Sequence, residues 1–176
     1  MDVGTGDFVA DRAWTESEPP FGEIERDDLI EGVRLRRLVT HEDHRGGLTV
    51  LNSTHYDPDF SAVHVYLVEA LPGSVRAWVY HKYQSDCLAF SKGRFQVALY
   101  DIRPDSPTLG RLNVFEFGAH NQMQLVIPAF VAHGVKNIGT ESSVFVNMPT
   151  RAYDPAAPDK WRITDEARAG IPFSFD

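Results

Sequence analysis

The chain has 176 residues, 43% of them hydrophobic and 24% charged, the size and composition of one globular domain. Lys+Arg number 17 and Asp+Glu 25, a net charge of −8 that argues against nucleic acid as the main partner. The lone cysteine, Cys87, excludes an intramolecular disulfide, and no apolar run approaches the roughly 18 residues of a membrane span. Residues 1–20 show neither the basic nor the apolar region of a signal peptide, so the expected setting is the cytoplasm.

In chain order, residues 1–32 carry Gly4, Gly6, Pro19, Pro20 and Gly22 among acids and read as a loose N-terminal arm, with a short helix near 8–14. The main domain then occupies 33–176. Short β-rich runs recur at 33–40, 48–54, 63–70, 75–83, 87–91 and 94–101. Others follow at 111–117, 123–127, 132–137 and 143–148. Turn signals separate them, among them Arg45-Gly46-Gly47, Pro72-Gly73, Lys92-Gly93 and Ser106-Pro107. No long segment has a 3.6-residue apolar period. The pattern predicts an all-β closed barrel or jelly roll. The tail is read as a short C-terminal helix around 159–168, packed across the barrel and followed by Phe173 and Phe175.

Alternation along 75–83 places Val75, Ala77, Val79 and His81 on one face, with Arg76, Trp78 and Tyr80 on the other. The small and apolar set belongs inside, which brings His81 to the mouth or floor of the barrel. His133 opens the 132–137 run. A barrel gathers inward residues of several strands into one pocket.

Two constellations carry chemistry. In the first, His81 is followed by Asp86 and Gly93, and Pro128-Ala-Phe130-Val-Ala-His133-Gly-Val-Lys-Asn137 follows. This spacing resembles that of metal cupins, with Phe130 at a glycine position and Val79 where a histidine ligand is usual. No metal is expected, but His81, Asp86 and His133 form the candidate ligand set for Fe(II), Mn(II) or Zn(II) if one binds. The competing reading is a pair of hydrogen-bonded pocket histidines.

The second constellation is longer. Asp101-Ile-Arg103-Pro-Asp-Ser106-Pro107-Thr108-Leu-Gly110, Ile127-Pro128-Ala-Phe-Val-Ala-His133-Gly134-Val135, and Asp43-His-Arg45-Gly46-Gly-Leu48 stand in one chain, with Tyr153-Asp-Pro155 and Ile163-Thr-Asp165 after them. These segments, in this order, resemble the dTDP-4-dehydrorhamnose 3,5-epimerase family of sugar-nucleotide cupins. The resemblance runs from about Val33 to the C-terminus. It implies a cupin jelly roll, a homodimer, a nucleotide-diphosphate sugar as partner and no cofactor. It also implies 3-, 5- or 3,5-epimerisation of a dTDP-4-keto-6-deoxyhexose by enolisation beside the C4 ketone.

Such chemistry needs a base of near-neutral pKa and a donor that returns the proton. The family's base histidine and acid tyrosine positions hold Val79 and Asn147 here. The expectation is therefore a re-sorted site, with His81 as base, Asp165 as its orienter and His133 assisting. Arg45 and Arg76 are assigned to the diphosphate, and Gln84, Asn147 and Tyr153 to substrate binding. The alternatives are a non-catalytic nucleotide-sugar-binding cupin, a 3,4-ketoisomerase, and a metal-dependent enzyme built on His81, Asp86 and His133. Asp101 and Arg103 are expected to pin the Ser106-Pro107-Thr108 turn, and Cys87 to be a buried thiol.

Overall fold

The computed structural model describes residues 4–10, 21–54, 57–164 and 170–175. They form thirteen strands in three antiparallel sheets and one 3-10 turn, Thr5–Asp7. The first sheet holds six strands: β1 (Phe21–Ile24), β2 (Arg34–Leu38), β10 (Met123–Ile127), β7 (Asp86–Phe90), β12 (Ser143–Asn147) and β5 (Tyr66–Ala70), in that spatial order. The second orders β13 (Trp161–Arg162), β6 (Val75–Tyr80), β11 (Val131–Asn137), β8 (Arg94–Asp101) and β9 (Leu112–Gly118). A separate hairpin pairs β3 (Thr40–Asp43) with β4 (Gly46–Thr49). This is the expected all-β jelly roll.

Alternation decides what each strand buries. Phe95, Val97 and Leu99 of β8 face Phe115 and Phe117 of β9, and Leu35, Leu88, Phe90, Leu125 and Phe145 close the core from the other sheet. Phe90, fully buried, lies 5.3–5.6 Å from the ring centroids of Phe95, Phe117 and Phe145. Burying one such ring contributes about 1.5–3 kcal/mol. The outer faces are covered too. Phe60, with Val50, Leu51 and Ala62, lies over Leu38, Cys87, Ala89, Val126 and Met148. Burial pushes the Cys87 thiol up to about 12, so it is an inert hydrophobe. Ile171, Phe173 and Phe175 cover Trp78, Ala98 and Ala132 on the second sheet.

Five sequence expectations change. The arm is not loose throughout: β1 pairs along β2, and Ile30, 1% exposed, sits in the core. Its tether is the turn predicted from Asp101. The Asp101 carboxylate accepts from Arg103, Ser106 and Thr108, while Thr108 and Arg103 hold the backbone of Glu31. The helix expected near 8–14 is not seen in its described part, where Phe8 is extended; 11–14 lie outside the described residues. The helix expected at 159–168 is replaced, over Trp161–Arg162, by a strand on β6; residues 165–168 lie outside the described residues. The run at 48–54 stops as a strand at Thr49.

The last difference concerns β6. Strict alternation separates Arg76 from Val79. In the structure the register with β11 slips by one, His133 opposing Val79 but Val135 opposing Arg76. The slip is a bulge. Ala77 and Trp78 both turn to the outer layer, and Arg76 joins Val79 and His81 on the cavity side. Gly134 lies in the slip, where a Cβ would stand 2.4 Å from the Ala77 side chain.

Candidate active site

β5, β7 and β12 of one sheet and β6 and β11 of the other enclose a cavity of about 590 Å³. Its apolar base is the top of the core: Val68, Leu88, Val135 and Phe145. Residues between 151 and 161 supply the remaining wall.

Three buried polar side chains meet inside it. His81 follows β6, Asp86 opens β7 and His133 lies on β11; they are 8%, 4% and 6% exposed. Asp86 Oδ2 stands 3.2 Å from His81 Nε2 and 3.6 Å from His133 Nε2. The two rings are 5.5 Å apart. Gln84 Nε2 donates to Asp86 Oδ1 at 2.7 Å. The remaining ring nitrogens are also engaged. His133 Nδ1 is 3.0 Å from the Val131 carbonyl, and His81 Nδ1 bonds the Asp159 carbonyl. A carbonyl oxygen only accepts, so each Nδ1 carries the donated proton.

The surroundings build this geometry. The Asp159 carboxylate accepts the amides of Lys82, Tyr83 and Gln84 at 2.9, 2.8 and 3.0 Å, fixing the turn that follows His81. Phe130 donates its amide to the His81 carbonyl at 2.7 Å. At φ 59° Phe130 has the left-handed backbone that explains a glycine at this place in the related motif. Its ring stacks on Tyr80, which stacks in turn on Trp161. Burial works against the Asp86 charge, yet the hydrogen bonds from His133 and His81 hold its carboxyl well below the usual carboxylate range. Burial likewise opposes a charged His81; the Asp86 hydrogen bond and charge outweigh it and raise the ring's pKa.

Two more titratable groups line the cavity, shifted in opposite directions. Tyr66 is raised, first by desolvation and then by the Asp86 charge. Lys160 is lowered, first by desolvation and then by the charge of Arg162. Tyr66 belongs to β5, the edge of the six-stranded sheet; Lys160 precedes β13, the edge of the five-stranded one. Asn147 opposes Tyr66 in the β12–β5 register and donates from Nδ2 to its Oη at 2.8 Å. With that oxygen accepting, the phenolic O–H is left to point elsewhere. Asn147 is 4% exposed, and its Oδ1 has no partner among the described residues.

Of the residues assigned from sequence, His81, His133, Arg76, Gln84, Asn147 and Tyr153 line this cavity, as does Asp86. Arg45 does not. It pairs with Asp43 on the β3–β4 hairpin, its side chain 78% exposed. Asp165 lies outside the described residues. The expectation that His81 works as a base meets a ring with both nitrogens turned to acceptors. Tyr66, Lys160 and Asp159 were not anticipated. The pairing of Tyr66 with Asn147 depends on strand register, and alternation within one strand carries no information about that.

Comparison with known proteins agrees with this fold. The sequence profile of the dTDP-4-dehydrorhamnose 3,5-epimerase family matches residues 28–173. A probable low-salt glycan biosynthesis epimerase, Agl13, of Haloferax volcanii is 41% identical over 140 residues, covering 76% of this chain and 87% of that protein. The spore coat polysaccharide biosynthesis protein SpsL of Bacillus subtilis is 35% identical over 135 residues, covering 77% and 89%. The crystal structure of a dTDP sugar isomerase from Desulfovibrio desulfuricans superposes with a TM-score of 0.75 at 30% identity, covering 83% of this chain and 92% of that one. The described residues enclose a cavity with a buried His81–Asp86–His133 centre, and the chain belongs to the dTDP-4-dehydrorhamnose 3,5-epimerase family.

Proposed function

We propose that this protein epimerises a dTDP-linked 4-keto-6-deoxyhexose at C3, C5 or both, by enolisation beside the C4 ketone. One observation carries the reading. The cavity of this epimerase-family fold holds two proton-transfer groups, Tyr66 on the edge strand of one sheet and Lys160 just before the edge strand of the other, whose environments push their affinities for protons apart. Inversion at carbon requires a base on one side and an acid on the other. Lys160, held toward its neutral amine, takes the proton from carbon. The C–H electron pair moves into the ring, and negative charge develops on the C4 oxygen. The Tyr66 O–H, freed by the Asn147 amide at its oxygen, returns a proton to the opposite face, and solvent restores both groups. The His81–Asp86–His133 centre is buried in the same cavity, where His81, its pKa raised, is assigned to the enolate oxygen. His81 and His133 thus remain catalytic in this proposal, at the ketone oxygen rather than at the C–H bond.

Arg76 and Arg151 give the cavity wall a cationic character suited to a diphosphate, with Gln84, Asn147 and Tyr153 on the sugar. The proposed assembly is a homodimer in the cytoplasm. The dimer is supported by the apolar sheet edge at β5, where Leu67 and the preceding Val65 are 69% and 61% exposed, together with the projecting hairpin that carries Arg45. In a dimer this hairpin has a second cavity to reach, which is the role left for Arg45.

The test is proton NMR in D₂O with dTDP-4-keto-6-deoxyglucose. Deuterium entering at C3 or C5, lost in Lys160→Met, supports the proposal. No exchange, with broadened thymidine resonances, leaves a nucleotide-sugar-binding protein and overturns it.

A further inference from the structure

The buried centre is built for more than a pair of hydrogen bonds. Two imidazole nitrogens and one carboxylate oxygen, from three different strands or their ends, all lie within 4.8 Å of one another. Divalent metal–ligand bonds of about 2.0–2.2 Å put neighbouring donors roughly 3.0–3.4 Å apart in tetrahedral or octahedral geometry. The Asp86 Oδ2 contacts, 3.2 and 3.6 Å, sit at that spacing.

The outer contacts point the same way. Histidines that hold a metal through Nε2 usually donate Nδ1–H to a carbonyl or carboxylate, which fixes the tautomer and aims the Nε2 lone pair at the ion. Both rings do this here, one toward Val131 and one toward Asp159. The carboxylate is supported in the same manner, with Gln84 on the oxygen that the histidines leave free. Two rings whose Nδ1 atoms face carbonyls converge through Nε2 on one carboxylate oxygen. A divalent cation between them would satisfy both Nε2 atoms and Oδ2 together.

We propose that His81 Nε2, His133 Nε2 and Asp86 Oδ2 form a binding site for one divalent first-row metal ion, open toward the cavity. The donor set, two nitrogens and one oxygen with positions left for exogenous ligands, suits Fe(II), Mn(II), Co(II) or Zn(II) and is poor for Mg(II) or Ca(II). Metal binding stands on this triad alone. Only its use rests on the proposed epimerisation, where a bound metal would supply Lewis-acid polarisation of the C4 ketone oxygen.

The experiment uses the full chain, stripped with chelator and shown folded by circular dichroism. Co(II) titration is followed by its visible absorption bands, and elemental analysis gives the stoichiometry with Mn(II), Fe(II) and Zn(II). One ion per chain is expected, with a rise in melting temperature on loading. Asp86→Asn and His133→Gln are expected to abolish that uptake, and Tyr66→Phe, on the wall, to keep it. Should Asp86→Asn prove unfolded, the wild-type titration decides alone. Folded wild-type protein that takes up none of these ions overturns the site, as does equal uptake by a folded Asp86→Asn variant. The two proposals fail separately. A loaded centre without deuterium exchange overturns the epimerisation alone, and exchange in protein that binds no metal overturns the metal site alone.

Discussion

Replacing Tyr66 by Phe removes one oxygen from the cavity wall and leaves the ring in place. That oxygen accepts from Asn147 Nδ2 at 2.8 Å, in a β5–β12 pair whose backbone register does not depend on it. Tyr66 is 41% exposed, so water can reach its surroundings. The Asn147 amide, 4% exposed, loses its partner, so the stability cost is about 1–3 kcal/mol, with a fall in melting temperature of roughly 2–4 °C per kcal/mol for a domain of this size. The catalytic cost is larger. A positioned general acid contributes about 10²- to 10⁴-fold, or roughly 3–5.5 kcal/mol of barrier. The loss falls on one half of the reaction. Proton removal by Lys160 continues, and deuterium from solvent returns to the carbon without inversion. The assay follows both events in one NMR sample in D₂O, exchange at C3 and C5 against appearance of the inverted sugar. Exchange is expected to persist while inversion falls by about two orders of magnitude or more, with KM little changed. Inversion within about threefold of wild type refutes the assignment of Tyr66.

Further outcomes follow from other parts of the molecule. Desolvation and Arg162 lower the Lys160 pKa, so its neutral amine gains population below the range of an ordinary lysine; the wild-type rate is expected to rise with pH through that titration, and Lys160→Met to lose both this limb and the exchange itself. Asp101 is fully buried, and hydrogen bonds from Arg103, Ser106 and Thr108 overcome burial to depress its pKa. Its contribution is thus complete above the unfolded value of about 3.9 and lost as pH falls toward the folded one. Asp101→Asn is expected to cost about 2–3 kcal/mol at neutral pH by urea melts, with the gap from wild type narrowing below about pH 4. In Gly134→Ala the new methyl would stand 2.4 Å from Ala77 Cβ and 2.7 Å from the Phe175 ring. An overpacking cost of about 1–3 kcal/mol is expected, with Trp78 fluorescence changed as the Phe175 layer moves.

Local chemistry made much of the barrel legible. β8 and β10 match their sequence runs end for end, since each is a short apolar or alternating segment bounded by turns such as Lys92-Gly93. The Asp101 turn was legible for a similar reason, as its donors lie within seven residues of the carboxylate. What was missed needs partners distant in sequence. β1 has Gly22 and lies among prolines and acids, yet it pairs because β2 offers an edge. Trp161–Arg162 became a strand through the free side of β6. Arg76 reached the cavity only through the slip between β6 and β11. In the site, the types and order of His81, Asp86 and His133 were readable from spacing. The direction of their nitrogens was not, because it is set by two carbonyls, one of them 78 residues from His81.

Asp159 has a consequence in the order of events along the growing chain. Every strand of the core, through β12, has been synthesised before residue 159 appears. The His81 ring and the amides of residues 82–84 acquire their partners only then. Having a barrel and having a competent site are thus distinct achievements, reached in sequence and held by different contacts. Hydrogen exchange on the finished protein should preserve that history. The amides of Lys82, Tyr83 and Gln84 are expected to open with release of the tail, at lower free energy than the paired amides of β8, which wait for the whole barrel to come apart.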